Sequence, residues 1–166
     1  MATSAERVHA LLNERGGTLA TAESLTGGRL AALLTEAPGA SATYVGGVVA
    51  YATAVKKSLL GVSQEIVQRH GVVSAECAAA MARGVRTATG ATYAVSTTGV
   101  AGPDRQEGHP PGTVFVGLVG PGGSTALSLE LVGGRSAITE RACAEALSAL
   151  ADMLQSTSAS EETGLG

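Results

Sequence analysis

The sequence predicts an α/β domain of three layers, a mixed β-sheet flanked by helices. Three observations predict it. Strand-like and helix-like stretches alternate along the 166 residues, a length that fits one compact domain with a sizeable core. Aromatics are 2% of the chain, against 45% hydrophobic residues and 23 Gly. Small side chains must therefore build the core and let elements approach closely. Towards the C-terminus, two strand-like runs joined by Gly120-Pro121-Gly122-Gly123 have the form of a hairpin. Residues 1–155 are expected to form the domain, and the polar segment 156–166 a disordered tail.

The elements follow in order. Ser4 to Arg15 carries Val8, Leu11 and Leu12 on one helical stripe and stops at Gly16-Gly17. A short strand over Thr18–Ala22 runs into the polar turn Glu23–Gly28, and Arg29–Glu36 is a helix ended by Pro38. Tyr44–Tyr51 is strand-like, and Val55–Leu60 is a helix ended by Gly61. Ser63 is placed to cap a short helix through Arg69, although the capping box is imperfect. Ser74 opens a longer helix, Ala75–Thr89, which Gly90 ends. Thr92–Thr97 is a strand leading into Thr98–Pro103, and Asp104–Pro111 is a polar loop. Gly112–Val119 and Ser124–Leu131 are the hairpin strands, and Ala137–Leu154 is the last helix.

Composition excludes several classes of function. The formal net charge is −3 and the basic residues are scattered, so the basic stripe and stacking aromatics of a nucleic-acid binder are missing. There is no metal-ligand spacing, no glycine-rich phosphate loop and no cofactor motif. Cys77 and Cys143 sit in apolar helix-like stretches and are expected to be buried reduced thiols. With no leader-like start and no apolar run long enough for a bilayer, the expected location is cytoplasmic, without membrane contact.

Three turns that follow strands carry small polar residues: Glu23–Gly28, Tyr51–Lys56 and Thr98–Pro103. Loops at strand ends are where α/β folds place their sites. Ser24 lies where a strand turns into a helix, so its hydroxyl either faces a site or caps the helix. A serine nucleophile also needs a base. His9, His70 and His109 neighbour no Ser/Asp constellation and are expected at the surface. Lysine is the alternative. Lys56 and Lys57 are the only lysines, every other cation being arginine. A partly buried lysine can be tuned to accept a proton, whereas arginine cannot. Either one lysine serves as a base or the pair is an exposed helix face.

The segments TAESLTGGRL (21–30), YATAVKKSLLGV (51–62), HGVVS (70–74), STTGVAGPD (96–104), PPGTVFVG (110–117) and GGR (133–135) occur in this order. Together they resemble the C-terminal domain of the CinA competence-damage family, whose stand-alone members are nicotinamide-nucleotide amidases of the PncC type. The resemblance implies hydrolysis of nicotinamide mononucleotide to nicotinate mononucleotide and ammonia, by a cytoplasmic homo-oligomer that needs no cofactor. It also implies Ser24 as nucleophile, Lys56 as base and Tyr51 as an assistant to the pair. Thr26, Gly27, Thr98 and Gly99 are then expected at the substrate or oxyanion, with Arg135 at the phosphate. The chain departs from the family pattern at Thr53, Ala54, Gly134 and Thr139. An alternative expectation is a catalytically weak interaction module in competence or DNA repair.

Overall fold

The computed structural model describes residues 1–163, with side chains described through residue 156. In chain order the elements are α1 (Ser4–Arg15), β1 (Leu19–Glu23), α2 (Arg29–Glu36), β2 (Tyr44–Val49), α3 (Thr53–Leu60), α4 (Gln64–His70), α5 (Ala75–Thr89), β3 (Tyr93–Gly99), β4 (Thr113–Gly120), β5 (Gly123–Glu130) and α6 (Arg135–Thr163). The five strands form one mixed sheet in the order β2-β1-β3-β4-β5. β1 runs parallel to both neighbours, while β3, β4 and β5 pair antiparallel.

Side-chain alternation along the strands divides the core in two. Leu19, Tyr93, Val95, Val116 and Leu118 pack with α1, α2 and α6 on one face. Ala20, Ala22 and Ala94 pack with α3, α4 and α5 on the other. Packing on this second face is close because its side chains are small. A Cβ on Gly117 of β4 would lie 2.2 Å from the Ala78 carbonyl oxygen of α5. The Ser96 hydroxyl of β3 donates to the same carbonyl and accepts from Gly117 N–H.

Local signals account for most boundaries. Thr3 caps α1 in a complete capping box with Glu6, and Gly16 closes it in the left-handed conformation. Ser63 and Ser74 accept from the amides of Ile66 and Cys77 to cap α4 and α5. Both cysteines are buried and unpaired; burial pushes their thiols up to about 11 at Cys77 and about 12 at Cys143.

Two expectations need correction. α6 starts two residues before the expected Ala137 and, where Leu154 was expected to end it, runs to Thr163; residues 164–166 of the expected tail lie outside the described residues. His9 is not a surface residue. It is 2% exposed, and its Nε2–H donates to the Leu34 carbonyl at 2.8 Å while Nδ1 meets the Thr43 hydroxyl at 2.6 Å. Those two partners make its burial tolerable. Among the described residues no helix is long and apolar enough to cross a membrane.

The crossover from β1 to β2 passes through α2 on one face, and the return from β2 to β3 passes through α3–α5 on the other. The C-terminal end of β1, central among three parallel strands, is therefore a switch point with a crevice beside it.

Candidate active site

β1 delivers Ser24 to this crevice. Its amide donates to the Thr97 carbonyl of β3 at 3.0 Å, extending the ladder one residue beyond the strand. The amides of α2 are served by a different residue. Glu23, 1% exposed, accepts from Leu30 N–H at 2.8 Å, Ala31 N–H at 3.1 Å and the Thr26 hydroxyl at 2.6 Å. A carboxylate at a helix N-terminus is favoured by the aligned peptide dipoles and the unpaired amides there. The N-cap position of α2 is Gly28, which offers no side chain. Ser24 is therefore released from capping, and its hydroxyl points elsewhere.

The hydroxyl meets Lys56. α3 starts just after β2, and Lys56, 2% exposed, is turned inward at its first full turn. Its Nζ lies 2.8 Å from Ser24 Oγ, 2.8 Å from the Ala50 carbonyl and 3.0 Å from the Tyr51 carbonyl. Burial pushes the Lys56 ammonium below the usual lysine range, partly opposed by Cys77 and by the Glu107 carboxylate. The partner set suits both protonation states. An ammonium donates to all three oxygens; a neutral amine donates to the two carbonyls and turns its lone pair to the serine O–H. Lys57, one position on, is exposed and donates to the Gln64 amide oxygen.

Above this pair lies a cavity of about 410 Å³, within the range of small-molecule sites. Ser24, Lys56, Tyr51, Thr98, Gly99 and Arg135 all line it. Thr98 directs its hydroxyl to the Val72 carbonyl at 2.7 Å. Arg135, the first residue of α6, spans the mouth. It donates to the Gly102 carbonyl at 2.6 Å and to the Tyr51 phenol oxygen at 3.0 Å. Tyr51 thus meets Lys56 through its backbone carbonyl, and its exposed ring belongs to the mouth.

Thr26 and Gly27 do not line the cavity. The Thr26 hydroxyl, fully buried, is committed to Glu23 and to Thr97. Sequence reasoning missed Asp104, Arg105 and Gln106, which enter the cavity wall from a strap between β3 and β4. Their polar loop was visible, but nothing local says that it folds back over the strand ends. Among the described residues no group of three or more His, Cys, Asp or Glu is arranged to hold a metal ion.

The family model described as the CinA C-terminal domain matches residues 1–154. This chain belongs to the CinA C-terminal domain family. A CinA-like protein of Frankia casuarinae is 51% identical over 94% of the chain, and a putative competence-damage inducible protein of Bacillus subtilis is 46% identical over 77%. The chain spans 36% and 31% of those two relatives' lengths. The crystal structure of a CinA superfamily protein from Klebsiella pneumoniae superposes with a TM-score of 0.89 at 35% identity, covering 92% of this chain and 96% of that one. None of these names states a reaction.

Proposed function

We propose that this CinA-type domain is an amidohydrolase that converts nicotinamide mononucleotide to nicotinate mononucleotide and ammonia. The observation that supports it most is the buried lysine amine 2.8 Å from a serine hydroxyl on a cavity floor. That is hydrogen-bond reach for a general base, in surroundings that favour the neutral amine.

Neutral Lys56 takes the Ser24 proton as Oγ attacks the carboxamide carbon. Its two carbonyl partners, Ala50 and Tyr51, then stabilise the ammonium that forms. The Ser24 amide is occupied by Thr97, so it is not an oxyanion donor. The next amides, of Leu25 and Thr26, donate to no backbone acceptor among the described residues and are the candidates for that role. Collapse of the tetrahedral adduct breaks the C–N bond, and Lys56 returns its proton to the departing nitrogen as ammonia. Water then attacks the Ser24 ester by the same base, releasing the carboxylate and restoring the hydroxyl.

A mononucleotide suits the opposite end. Arg135 and Arg105 both border the cavity, and a guanidinium offers the planar fork that a phosphate monoester accepts. The experiment is ammonia release from nicotinamide mononucleotide, nicotinamide riboside and nicotinamide, each with the wild type and Ser24→Ala. Release from the mononucleotide that Ser24→Ala abolishes is the expected result. No release from any of the three would overturn the reading and favour an interaction module.

A further inference from the structure

The strap between β3 and β4 turns at Glu107–Gly108. Gln106 and His109 exchange both backbone hydrogen bonds, at 3.1 and 2.8 Å, and the two residues between them have φ of +50° and +79°. Two-residue loops of this form favour Asn-Gly, Asp-Gly or Gly-Gly, because both central residues are left-handed. Glu107 is the one non-glycine with positive φ among the described residues. Glutamate has no short polar side chain to ease that conformation. Nothing in the turn itself calls for it.

Its side chain reaches outside the turn. One carboxylate oxygen accepts from Val72 N–H at 3.1 Å and the other from Val73 N–H at 2.7 Å. These two amides lie just before Ser74, the cap of α5. Gly71 leaves room for the contact, since a Cβ there would stand 2.6 Å from a carboxylate oxygen of Glu107. The Val72 carbonyl is held in turn by the Thr98 hydroxyl. Strap, turn and β3 are thus joined through Val72, and Val72 and Val73 both line the cavity.

We propose that Glu107 is a positioning residue, a latch that holds the strap against the Val72–Val73 turn and so fixes the cavity wall facing Lys56. The backbone strain at Glu107 is then sustained by two charge-assisted hydrogen bonds made elsewhere. The latch also sets Gly102, on the same strap, where Arg135 finds its carbonyl. The kinetic consequence rests on the amidase reading; the latch itself does not.

Glu107→Gly removes the carboxylate while suiting the left-handed turn, and Glu107→Gln keeps one good acceptor. In the Gly variant, hydrogen exchange followed by NMR should be about tenfold or more faster at Val72 and Val73, with β1 and β3 unchanged and the Gln variant between. KM for nicotinamide mononucleotide should rise about tenfold in the Gly variant, with kcat within about threefold on the high-pH plateau, where Lys56 is neutral with or without the Glu107 charge. Unchanged exchange at Val72 and Val73 in folded Glu107→Gly overturns the latch. Faster exchange with an unchanged KM overturns its part in the cavity wall. If the wild type releases no ammonia, the amidase reading fails and the exchange comparison alone decides the latch.

Discussion

The two ends of the cavity are built on opposite plans. At the floor, Ser24 and Lys56 are 8% and 2% exposed and are carried by the end of β1 and the start of α3. Three oxygens lie within 3.0 Å of Lys56 Nζ. At the mouth, Tyr51 is 61% exposed and Arg135 is exposed beside it. The partners of Arg135 are a phenol and a loop carbonyl, both of which a ligand phosphate can replace. The floor is preorganised in a low-dielectric setting where each interaction is strong. Mouth contacts are screened by water and exchangeable. On the proposed function, chemistry falls to the floor and selection to the mouth.

The sharpest way to break that assignment is at the floor. Lys56→Ala should lower kcat by roughly 10² or more, the usual loss for a positioned general base. Lys56→Arg should be nearly as damaging, since arginine keeps the charge but does not give up its proton. Lys57→Ala should leave kcat within a few-fold, because that lysine is exposed. Activity of the wild type should rise with pH through the lowered Lys56 pKa, where the amine becomes a base. Stability should also rise with pH between that lowered value and 10.5, because the unfolded chain holds the extra proton there. Lys56→Met should flatten that slope in urea titrations at several pH values. Near-normal kcat in Lys56→Arg would show that charge alone suffices at the floor.

At the mouth the expected loss is in binding. Arg135→Ala should weaken KM for the mononucleotide by about 10- to 100-fold, the equivalent of one charge-assisted contact of about 1.5–3 kcal/mol. Turnover of the dephosphorylated riboside should barely change. Equal effects on both substrates would make Arg135 a structural tie between α6 and the strap. Thr26→Val, which keeps the backbone amide proposed for the oxyanion, should lower stability by about 1–3 kcal/mol by leaving Glu23 and Thr97 short of a partner. Its KM and kcat should stay close to wild type, as thermal melts and kinetics on the same preparation will tell. The smallest effect is expected from Tyr51→Phe. Lys56 touches the Tyr51 carbonyl and not its ring, so kcat should hold within about threefold.

Features that depend on nearby residues were legible in the sequence. The bounds of α1, α2 and α5 coincide with the expected ones, because glycine, proline and N-cap signals sit at their ends. Ser24 stood out through a strand-to-helix turn and the Lys56–Lys57 pair through the scarcity of lysine, while the choice of Lys56 came from the family resemblance. Long-range satisfaction was not legible. Glu23 serves amides seven and eight residues on, and Glu107 serves amides more than thirty residues back. No local rule connects such pairs. His9 failed for the same reason, its partners Leu34 and Thr43 lying on segments distant in sequence. At the C-terminus, a polar composition was taken to end α6, yet extending an existing helix adds one hydrogen bond per residue without a new nucleus.

The contact between Gly117 and Ala78 acts as a fulcrum. α5 rests its backbone directly on the sheet there, and the Val72–Val73 wall of the cavity hangs from the same helix, two to three residues before Ala75. A single methyl group at position 117 would have to push the Ala78 carbonyl away by on the order of 1 Å to reach ordinary contact. α5 would pass that displacement to the adjoining Val72–Val73 wall, which on the proposed function bounds the substrate's place in the cavity. On that reading a shift of that size is felt in substrate binding, the same parameter that loosening the wall at Glu107 moves. A position on β4, without a side chain and away from the cavity, thereby helps to set the cavity's shape.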